Sequence, residues 1–336
     1  MIFLKGVQCE RLFYCTMMNR LDYIFFEIVM LFRSLQTFTI PPLKTFNIVI
    51  VFFLIGCSHG ADINKVNQLH SEGIQFLEKG KIDSALYSFK AVLKIDSNHL
   101  LSINSLAEIH FRKIEIGKAL RLFEKSALLD STNADIYLKI AEIKLFLGNY
   151  KEVFENINKG LLLNDQLSHG YFMKGVAYKH IGDTTKAISS LKTAVELNDQ
   201  LTAVYYELGL ILTLKNDSSG IFYYKNGLEI DPVNLDLLYS LAWSYSEFGK
   251  LKEAEGVYKY LLTLDKDYSS AKFNWAVIKL NKFDYDSCLI LLNELLVADP
   301  LNEEILNVKG NALEHLGLED EAKAVAEQLI SLKKAK

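Results

Sequence analysis

The sequence predicts an all-α protein whose long C-terminal region folds as an α-solenoid, a stack of paired helices. Two observations lead to this fold class. From Val66 to Lys336 the chain repeats with a period of 34 residues, and a fixed period of this size is the mark of a stack of small structural units. The 336 residues also include only four prolines, which suits long, uninterrupted helices.

The period divides the chain into eight segments with the same pattern of small residues. They begin at Val66, Leu100, Ala134, Ser168, Thr202, Leu235, Ser269 and Glu303, and the fifth is one residue short in the turn at 215–219. Position eight of each segment is glycine or alanine: Gly73, Ala107, Ala141, Gly175, Gly209, Ala242, Ala276 and Gly310. Position twenty is small except for Val153: Ala85, Ala119, Ala187, Gly220, Ala254, Cys288 and Ala322. Small residues on facing stripes let two helices approach closely, so each segment is predicted to hold one packed helix pair.

Turn-forming residues separate the predicted helices. Gly148, Gly182 and Gly249 follow the first helix of their segments, where glycine can adopt a positive φ at a helix C-terminus. Aspartate or asparagine stands four residues before each new segment, at Asp96, Asp130, Asn164, Asn198, Asp231, Asp265 and Asp299. These residues are predicted to end the second helix and to start the next pair.

This pattern resembles the tetratricopeptide repeat family. That family has a small residue at position eight, an aromatic at eleven, alanine at twenty, an aromatic at twenty-four and Asp-Pro near the end. Here position eleven holds Phe76, Tyr178 and Tyr245, and position twenty-four holds Phe89, Phe123, Tyr224 and Tyr258. The third segment departs most, with Val153 and Ile157. The resemblance implies a right-handed α-solenoid of about eight tetratricopeptide repeats over residues 66–336, with a concave groove lined by the first helices.

The first sixty residues have a different composition. Lys44 precedes the apolar run 46–55, which leads to Leu54-Ile55-Gly56-Cys57. A positive flank, a short apolar core and a small residue before the cleavage point are the layout of a secretory signal, and Leu-Ile-Gly-Cys resembles the lipobox of bacterial lipoproteins. We therefore expect a lipoprotein signal peptide over 43–56, lipidation of Cys57 and a short linker over 57–65. The alternative is a buried apolar segment with an incidental cysteine.

Two further expectations concern the residues before this signal and those directly after Cys57. Residues 1–42 contain no repeat or motif, so we expect them to be an upstream extension that is unstructured or not translated, with translation starting at Leu43. Ser58, not an aspartate, stands directly after Cys57, and no acidic run follows. The resemblance to lipoproteins of Gram-negative bacteria thus implies a lipid-anchored protein of the cell envelope, held in the outer membrane and facing the periplasm.

Motifs for catalysis, metal binding or cofactor binding are not found in the sequence. It contains no glycine-rich phosphate loop, no His-Glu-x-x-His pair and no Cys-x-x-Cys. His169 and His180 share a predicted helix but are too far apart to hold one metal ion, and His110 and Cys288 occupy core positions of the repeat. The formal net charge of −4 argues against a nucleic-acid partner. We therefore expect no enzymatic activity, no metal and no small-molecule cofactor.

The predicted concave face carries an apolar strip. In segments four to seven, position five holds Phe172, Tyr206, Tyr239 and Phe273, and position nine holds Val176, Leu210, Trp243 and Val277. An apolar strip that the fold does not need to bury is typical of a protein-binding surface, although packing between the segments could also bury it. Repeats that grip the C-terminal carboxylate of heat-shock chaperones use lysines that are missing here, and only Asn104 and Asn274 stand at suitable positions.

These observations favour a non-enzymatic, lipid-anchored scaffold of the cell envelope that binds a protein or peptide partner in the concave groove. One alternative is a regulatory or assembly subunit of a larger envelope enzyme or secretion complex, in which the partner supplies the chemistry. A third hypothesis is a glycan-processing or transferase activity, because such repeats often precede catalytic domains.

Overall fold

The computed structural model describes residues 63–335, whose regular elements are sixteen α-helices, with no strand in that range. The predicted upstream extension 1–42, the signal peptide 43–56 and the lipidation site Cys57 lie outside the described residues. None of the described helices is both long and apolar enough to cross a membrane.

The helices alternate as the first and second members of eight pairs, which we call repeats 1 to 8. Their bounds are α1 63–78, α2 Ile82–Ile95, α3 Leu100–Arg112, α4 Ile116–Leu129, α5 Ala134–Phe146, α6 Tyr150–Leu163, α7 Ser168–His180, α8 Thr184–Leu197, α9 Thr202–Leu214, α10 Gly220–Ile230, α11 Leu235–Glu247, α12 Leu251–Leu264, α13 Ser269–Asn281, α14 Tyr285–Ala298, α15 Glu303–His315 and α16 Glu319–Ala335. The chain forms two compact units, the first ending at Ser102 and the second beginning at Ile103.

The observed helix starts agree with the predicted period. From repeat 2 onward, each first helix begins at the first residue of its predicted segment. In repeat 1, α1 begins at residue 63, three residues before Val66. The missing residue of the fifth segment shortens the second helix of that pair: α10 begins at Gly220 and has 11 residues, whereas α8 and α12 have 14 each.

The first unit contains the helix pair α1 and α2. Phe89 is fully buried on α2, and its ring faces Gly73 on α1 so closely that a Cβ atom at residue 73 would lie 2.6 Å from Phe89 Cε1. In this repeat the missing side chain of Gly73 lets the Phe89 ring lie close against the backbone of α1.

The second unit uses the same contact between positions eight and twenty-four. A Cβ atom at Gly175 would lie 2.5 Å from Leu191 Cγ, and one at Gly209 would lie 2.5 Å from Tyr224 Cε1. In the divergent third repeat both Val153 and Ile157 are fully buried, and the helix pair is kept. In repeats 1, 4 and 5 a glycine and a large buried partner thus fit closely together across the helix pair.

The turn between the two helices of a repeat requires a left-handed residue. Gly148, Gly182 and Gly249 have φ values of 71°, 82° and 69°, as the sequence predicts. The same turn position in repeats 2, 5 and 7 is not glycine: Ile114, Asn216 and Phe283 have φ values of 60°, 57° and 61°. Asparagine tolerates this conformation, but a β-branched or aromatic residue does so with strain.

Within the second unit, the first helices line one side. Each first helix from α5 to α13 contacts the first helix of the next repeat, whereas neighbouring second helices in the described part of this unit make no comparable contact. The first helices are therefore closer together than the second helices, which places them on the inner side of the stack. The side chains on their free face are the ones that a bound partner would meet.

Candidate functional site

The eight residues of the predicted apolar strip lie on four consecutive first helices, α7, α9, α11 and α13. All eight side chains are partly exposed: Phe172, Tyr206, Tyr239 and Phe273 at position five, and Val176, Leu210, Trp243 and Val277 at position nine. Each position-five ring packs against the core on one side. Packing between the repeats therefore covers part of the strip and leaves the rest accessible.

Phe172 and Tyr206 line a cleft of about 240 Å³ between α7, α9 and α11, which we call the central cleft. Its remaining walls are formed by Thr202, Ala203, Glu207, Asn234, Asp236 and Leu237. The Tyr206 ring meets the buried Tyr224 ring edge to face, with centroids 6.5 Å apart. This contact holds one aromatic wall of the cleft in a fixed orientation.

Two carboxylates flank the central cleft, and they differ in their contacts. Glu207 forms an ion pair with Lys179, with 2.6 Å between Oε2 and Nζ. Asp236 is exposed and forms no ion pair with any residue of 63–335. The cleft thus combines two aromatic surfaces with one uncompensated negative charge.

Tyr239 and Phe273 line a second cleft of about 300 Å³ between α11, α13 and α15, which we call the distal cleft. Its other walls are Ser269, Ser270, Asn274, Leu295, Asn302, Glu304 and Ile305. Most of these residues occupy the repeat positions that line the central cleft, two repeats earlier. Glu304 takes the place of Asp236, and it too is exposed and without an ion-pair partner in residues 63–335.

The two uncompensated carboxylates are positioned by the same helix start. Asn234 and Asn302 are N-cap residues, and their Oδ1 atoms accept hydrogen bonds from the backbone N–H of Leu237 and Ile305, each at 3.1 Å. Each asparagine also donates its amide N–H at 3.0 Å to the aspartate of the preceding Asp-Pro turn. The acidic residue two positions after the cap is thereby presented at the cleft.

A third cleft, of about 370 Å³, lies between α5 and α7 and is built differently. Its position-five residue is the aliphatic Leu138, and its lining includes Asp135, Glu142, Lys139 and His169. Lys139 forms an ion pair with Glu142, with 3.3 Å between Nζ and Oε2. Burial lowers the pKa of His169, which favours its neutral form. This cleft has no pair of aromatic walls.

The position-nine side chains form a separate row one helical turn beyond the position-five rings. Val176, Leu210, Trp243 and Val277 are not among the residues that line the three clefts. The predicted strip therefore consists of cleft-forming rings and of an adjoining apolar row, of which Trp243 has the largest side chain. A bound segment could place side chains in the clefts and rest on this row.

In repeats 3 and 7 a lysine with ion-pair partners replaces the aromatic residue at position eleven, and the sequence did not predict these ion pairs. Lys144 contacts Glu124 and Glu152, at 3.8 and 2.5 Å. Lys279 contacts Glu255 and Asp284, both at 2.9 Å. These partners lie outside the helix that carries each lysine, so no local pattern marks the lysines as paired.

Glu255 is the centre of the larger of these networks. It is buried, yet it accepts hydrogen bonds from Lys282 at 2.6 Å, from Lys279 at 2.9 Å and from Lys259 at 3.1 Å. Burial by itself would raise the pKa of Glu255, but the three lysines outweigh it and lower the pKa to about 2. The network joins α12 to α13, and none of its residues lines one of the three clefts. We therefore assign it a structural role.

The remaining candidate residues are either hydrogen-bonded within the protein or buried in its core. The amide of Asn274 donates to the hydroxyls of Tyr239 and Tyr258, at 3.0 and 3.2 Å, and is therefore engaged within the protein. Cys288 is fully buried, and burial raises the pKa of its thiol to about 11, which suits an unreactive core residue. His110 is also buried. The described residues contain no group of His, Cys, Asp and Glu side chains that could hold a metal ion.

Comparison with known protein families identifies two of the repeats. Residues 168–201 and 303–336 match the family model of the tetratricopeptide repeat, and these two ranges are the fourth and eighth predicted segments. Comparison of the sequence with curated proteins finds no match.

Three solved structures are similar to the chain at low sequence identity. A tetratricopeptide repeat protein from Parabacteroides merdae is 16% identical with a TM-score of 0.54, and the match covers 74% of this chain and 99% of that one. Pseudomonas aeruginosa pilF is 17% identical with a TM-score of 0.54, covering 62% and 95% of the two chains. PilW, described as a type IV pilus biogenesis factor, is 18% identical with a TM-score of 0.56, covering 61% and 96%.

The fold assignment rests on agreement between three kinds of evidence. The repeats have a common period, three of the helix pairs share a contact between positions eight and twenty-four, and two of the repeats match the family model. The similar structures share the same all-α architecture. Two of the repeats therefore match the tetratricopeptide repeat, and the described residues fold as an all-α solenoid of paired helices.

Proposed function

We propose that this protein is a non-enzymatic scaffold that binds a protein or peptide partner on the inner face of repeats 4 to 7, and that a lipid on Cys57 attaches it to the bacterial cell envelope. The observation that carries the binding role is the row of partly exposed aromatic rings at position five, which pair to form the central and distal clefts. Exposed aromatic side chains in preformed clefts are frequent anchors of protein interfaces.

The lipid anchor and the location in the outer membrane facing the periplasm are supported by the sequence alone. The apolar run 46–55, followed by Gly56 and Cys57, has the layout of a lipoprotein signal. An anchor of this kind would hold the groove close to the membrane without any membrane-spanning helix.

A pair of double variants tests the binding role. Tyr206→Ala with Trp243→Ala removes one aromatic from the central cleft and one from the adjoining row. Phe222→Ala with Tyr260→Ala is the matched control, because these exposed aromatics lie on the second helices of the same two repeats, 59% and 45% exposed. Partners are captured by crosslinking in the native membrane, identified by mass spectrometry and then measured for affinity with the purified full chain.

We expect the groove variant to weaken partner binding at least ~30-fold, because truncation of an aromatic anchor often costs about 2 kcal/mol or more. The control variant is expected to bind as the parent does. Equal binding by all three proteins would refute the assignment of the groove. A large fall in melting temperature of the groove variant alone would instead mean that these rings serve the core.

The identity of the captured proteins decides between the scaffold and its alternative. Recovery of one free polypeptide supports a scaffold, whereas recovery of a stable enzyme or secretion complex supports a regulatory or assembly subunit. An intrinsic activity of the purified chain, without partners, would contradict both.

A further inference from the structure

The central and distal clefts are two copies of one arrangement. Each has two aromatic walls from position five of adjacent repeats, Phe172 with Tyr206 and Tyr239 with Phe273. Each also has a capped helix start that presents one carboxylate, Asp236 in the first case and Glu304 in the second. A ligand that fits one of them would place the same kind of side chain in the other.

The charged residues that line the three clefts are mainly negative. Five residues that line the three clefts are carboxylates, namely Asp135, Glu142, Glu207, Asp236 and Glu304, and one is a lysine, Lys139. That lysine is already paired with Glu142 and lies 3.6 Å from Glu108. Asp236 and Glu304 are exposed and have no ion-pair partner within residues 63–335, so the face is complementary to a cationic partner.

Aromatic walls next to a carboxylate are the surroundings that a lysine or arginine side chain prefers. Its aliphatic stem can lie against the rings while its charged end meets the carboxylate, and a cation near an aromatic face gains a further attraction. An acidic or purely apolar side chain would leave Asp236 or Glu304 unpaired beside it.

We infer, on the basis of the proposed binding role, that the partner is an extended segment that places one basic side chain in the central cleft and a second one in the distal cleft. Neighbouring helices pack about 10 Å apart, so clefts that are two repeats apart are separated by roughly 20 Å. An extended chain rises about 3.3 Å per residue. The two basic residues are therefore spaced about six residues apart.

The test uses the purified full chain and synthetic twelve-residue peptides in a Gly-Ser background. The probe peptide carries lysine at positions 3 and 9 and leucine at the positions between them. The matched peptides replace both lysines by norleucine, which keeps the stem and removes the charge, or move the second lysine to position 6. Affinity is measured by fluorescence anisotropy at low and high salt.

Two cleft variants and one control complete the design. Asp236→Asn and Glu304→Gln each remove one cleft charge. The control, Asp286→Asn, removes an exposed aspartate at the same place in the first turn of its helix, the second residue of α14. It therefore matches the loss of charge near a helix N-terminus without changing a cleft.

We expect each cleft variant to weaken the lysine peptide about fivefold and the two together about 25-fold, as for ion pairs of partial exposure, and Asp286→Asn to leave its affinity unchanged. High salt should weaken the lysine peptide and leave the norleucine peptide unaffected. Moving the second lysine to position 6 should weaken binding about fivefold, as much as the loss of one cleft carboxylate does.

The outcomes separate this inference from the proposed function. If the norleucine peptide binds as well as the lysine peptide, and Tyr206→Ala with Trp243→Ala abolishes both, the groove binds partners but the basic preference is wrong. If no peptide binds and the captured native partner is unaffected by Tyr206→Ala with Trp243→Ala, both the inference and the binding role are overturned.

Discussion

Replacement of Gly209 by alanine tests how the helix pairs are held together. A Cβ atom at this residue would lie 2.5 Å from Cε1 of Tyr224 and 2.7 Å from its Cδ1 and Cζ atoms. The Tyr224 ring is fully buried and packs against the Tyr206 ring, so its movement would displace neighbouring side chains. The matched control is Gly310→Ala, at the same position of repeat 8, where the new Cβ atom would lie 3.6 Å from Val325 Cγ1, an ordinary contact.

The magnitude follows from the difference between the two variants. Both replace glycine by alanine in the interior of a first helix, which favours the helix by about 1 kcal/mol, and this gain cancels when the variants are compared. Only Gly209→Ala brings the new Cβ atom into overlap with the Tyr224 ring. Overpacking of this kind typically costs about 1–3 kcal/mol. We therefore expect Gly209→Ala to be less stable than Gly310→Ala by about 1–3 kcal/mol.

Hydrogen exchange measured by mass spectrometry on the full chain is the appropriate assay, because repeats open locally and a single unfolding midpoint averages over them. Each variant is compared with the parent in its own repeat: the rate change of the slowest amides of repeat 5 in Gly209→Ala should exceed that of repeat 8 in Gly310→Ala by about 5- to 150-fold, which is the same free-energy range expressed as a rate ratio. Effects should be confined to repeats 4 to 6. Equal exchange in the two variants, or an even rise across all repeats, would refute the reasoning.

Three further predictions concern the turns, the buried network and the anchor. Ile114→Gly and Phe283→Gly should each stabilise the protein by ~0.5–1 kcal/mol in chemical unfolding, because they relieve a positive φ, whereas Ile181→Gly, at φ −89°, should not. Glu255→Gln should lower the melting temperature at neutral pH. Because the folded-state pKa of Glu255 is about 2, below its ordinary value of 4.5, its contribution is present above about pH 4.5 and is lost as the pH falls towards 2, so the difference from the parent should shrink over this range. Cys57→Ser should release the protein from membranes, as measured by fractionation and fatty-acid labelling.

Each of these predictions has an outcome that would contradict it. Stabilisation of Ile181→Gly to the same extent would mean that glycine acts through something other than backbone strain. A constant difference between Glu255→Gln and the parent from about pH 6 to about pH 3 would show that the carboxylate is not charged within the network. Continued fatty-acid labelling of the Cys57→Ser protein would exclude the lipoprotein hypothesis.

The sequence by itself determined the helix pairs, because their signals are local and occur eight times. A first helix begins at the residue that the 34-residue period indicates, from Leu100 to Glu303. Glycine at position eight and a large side chain at position twenty-four lie within one repeat, as in Gly209 and Tyr224. A deviation in one copy, such as Val153 in repeat 3, does not obscure a pattern that the other copies share.

Only the tertiary structure decided the contacts that join residues from different repeats. The rings at position five were predicted as a continuous strip, but they pair into clefts whose carboxylates come from the next repeat along the stack, as Tyr206 does with Asp236. Lys279 occupies a position that is usually aromatic and is accommodated because Glu255 reaches it from another helix. Such contacts depend on how neighbouring pairs are oriented, and this orientation is set by packing between side chains that are distant in sequence.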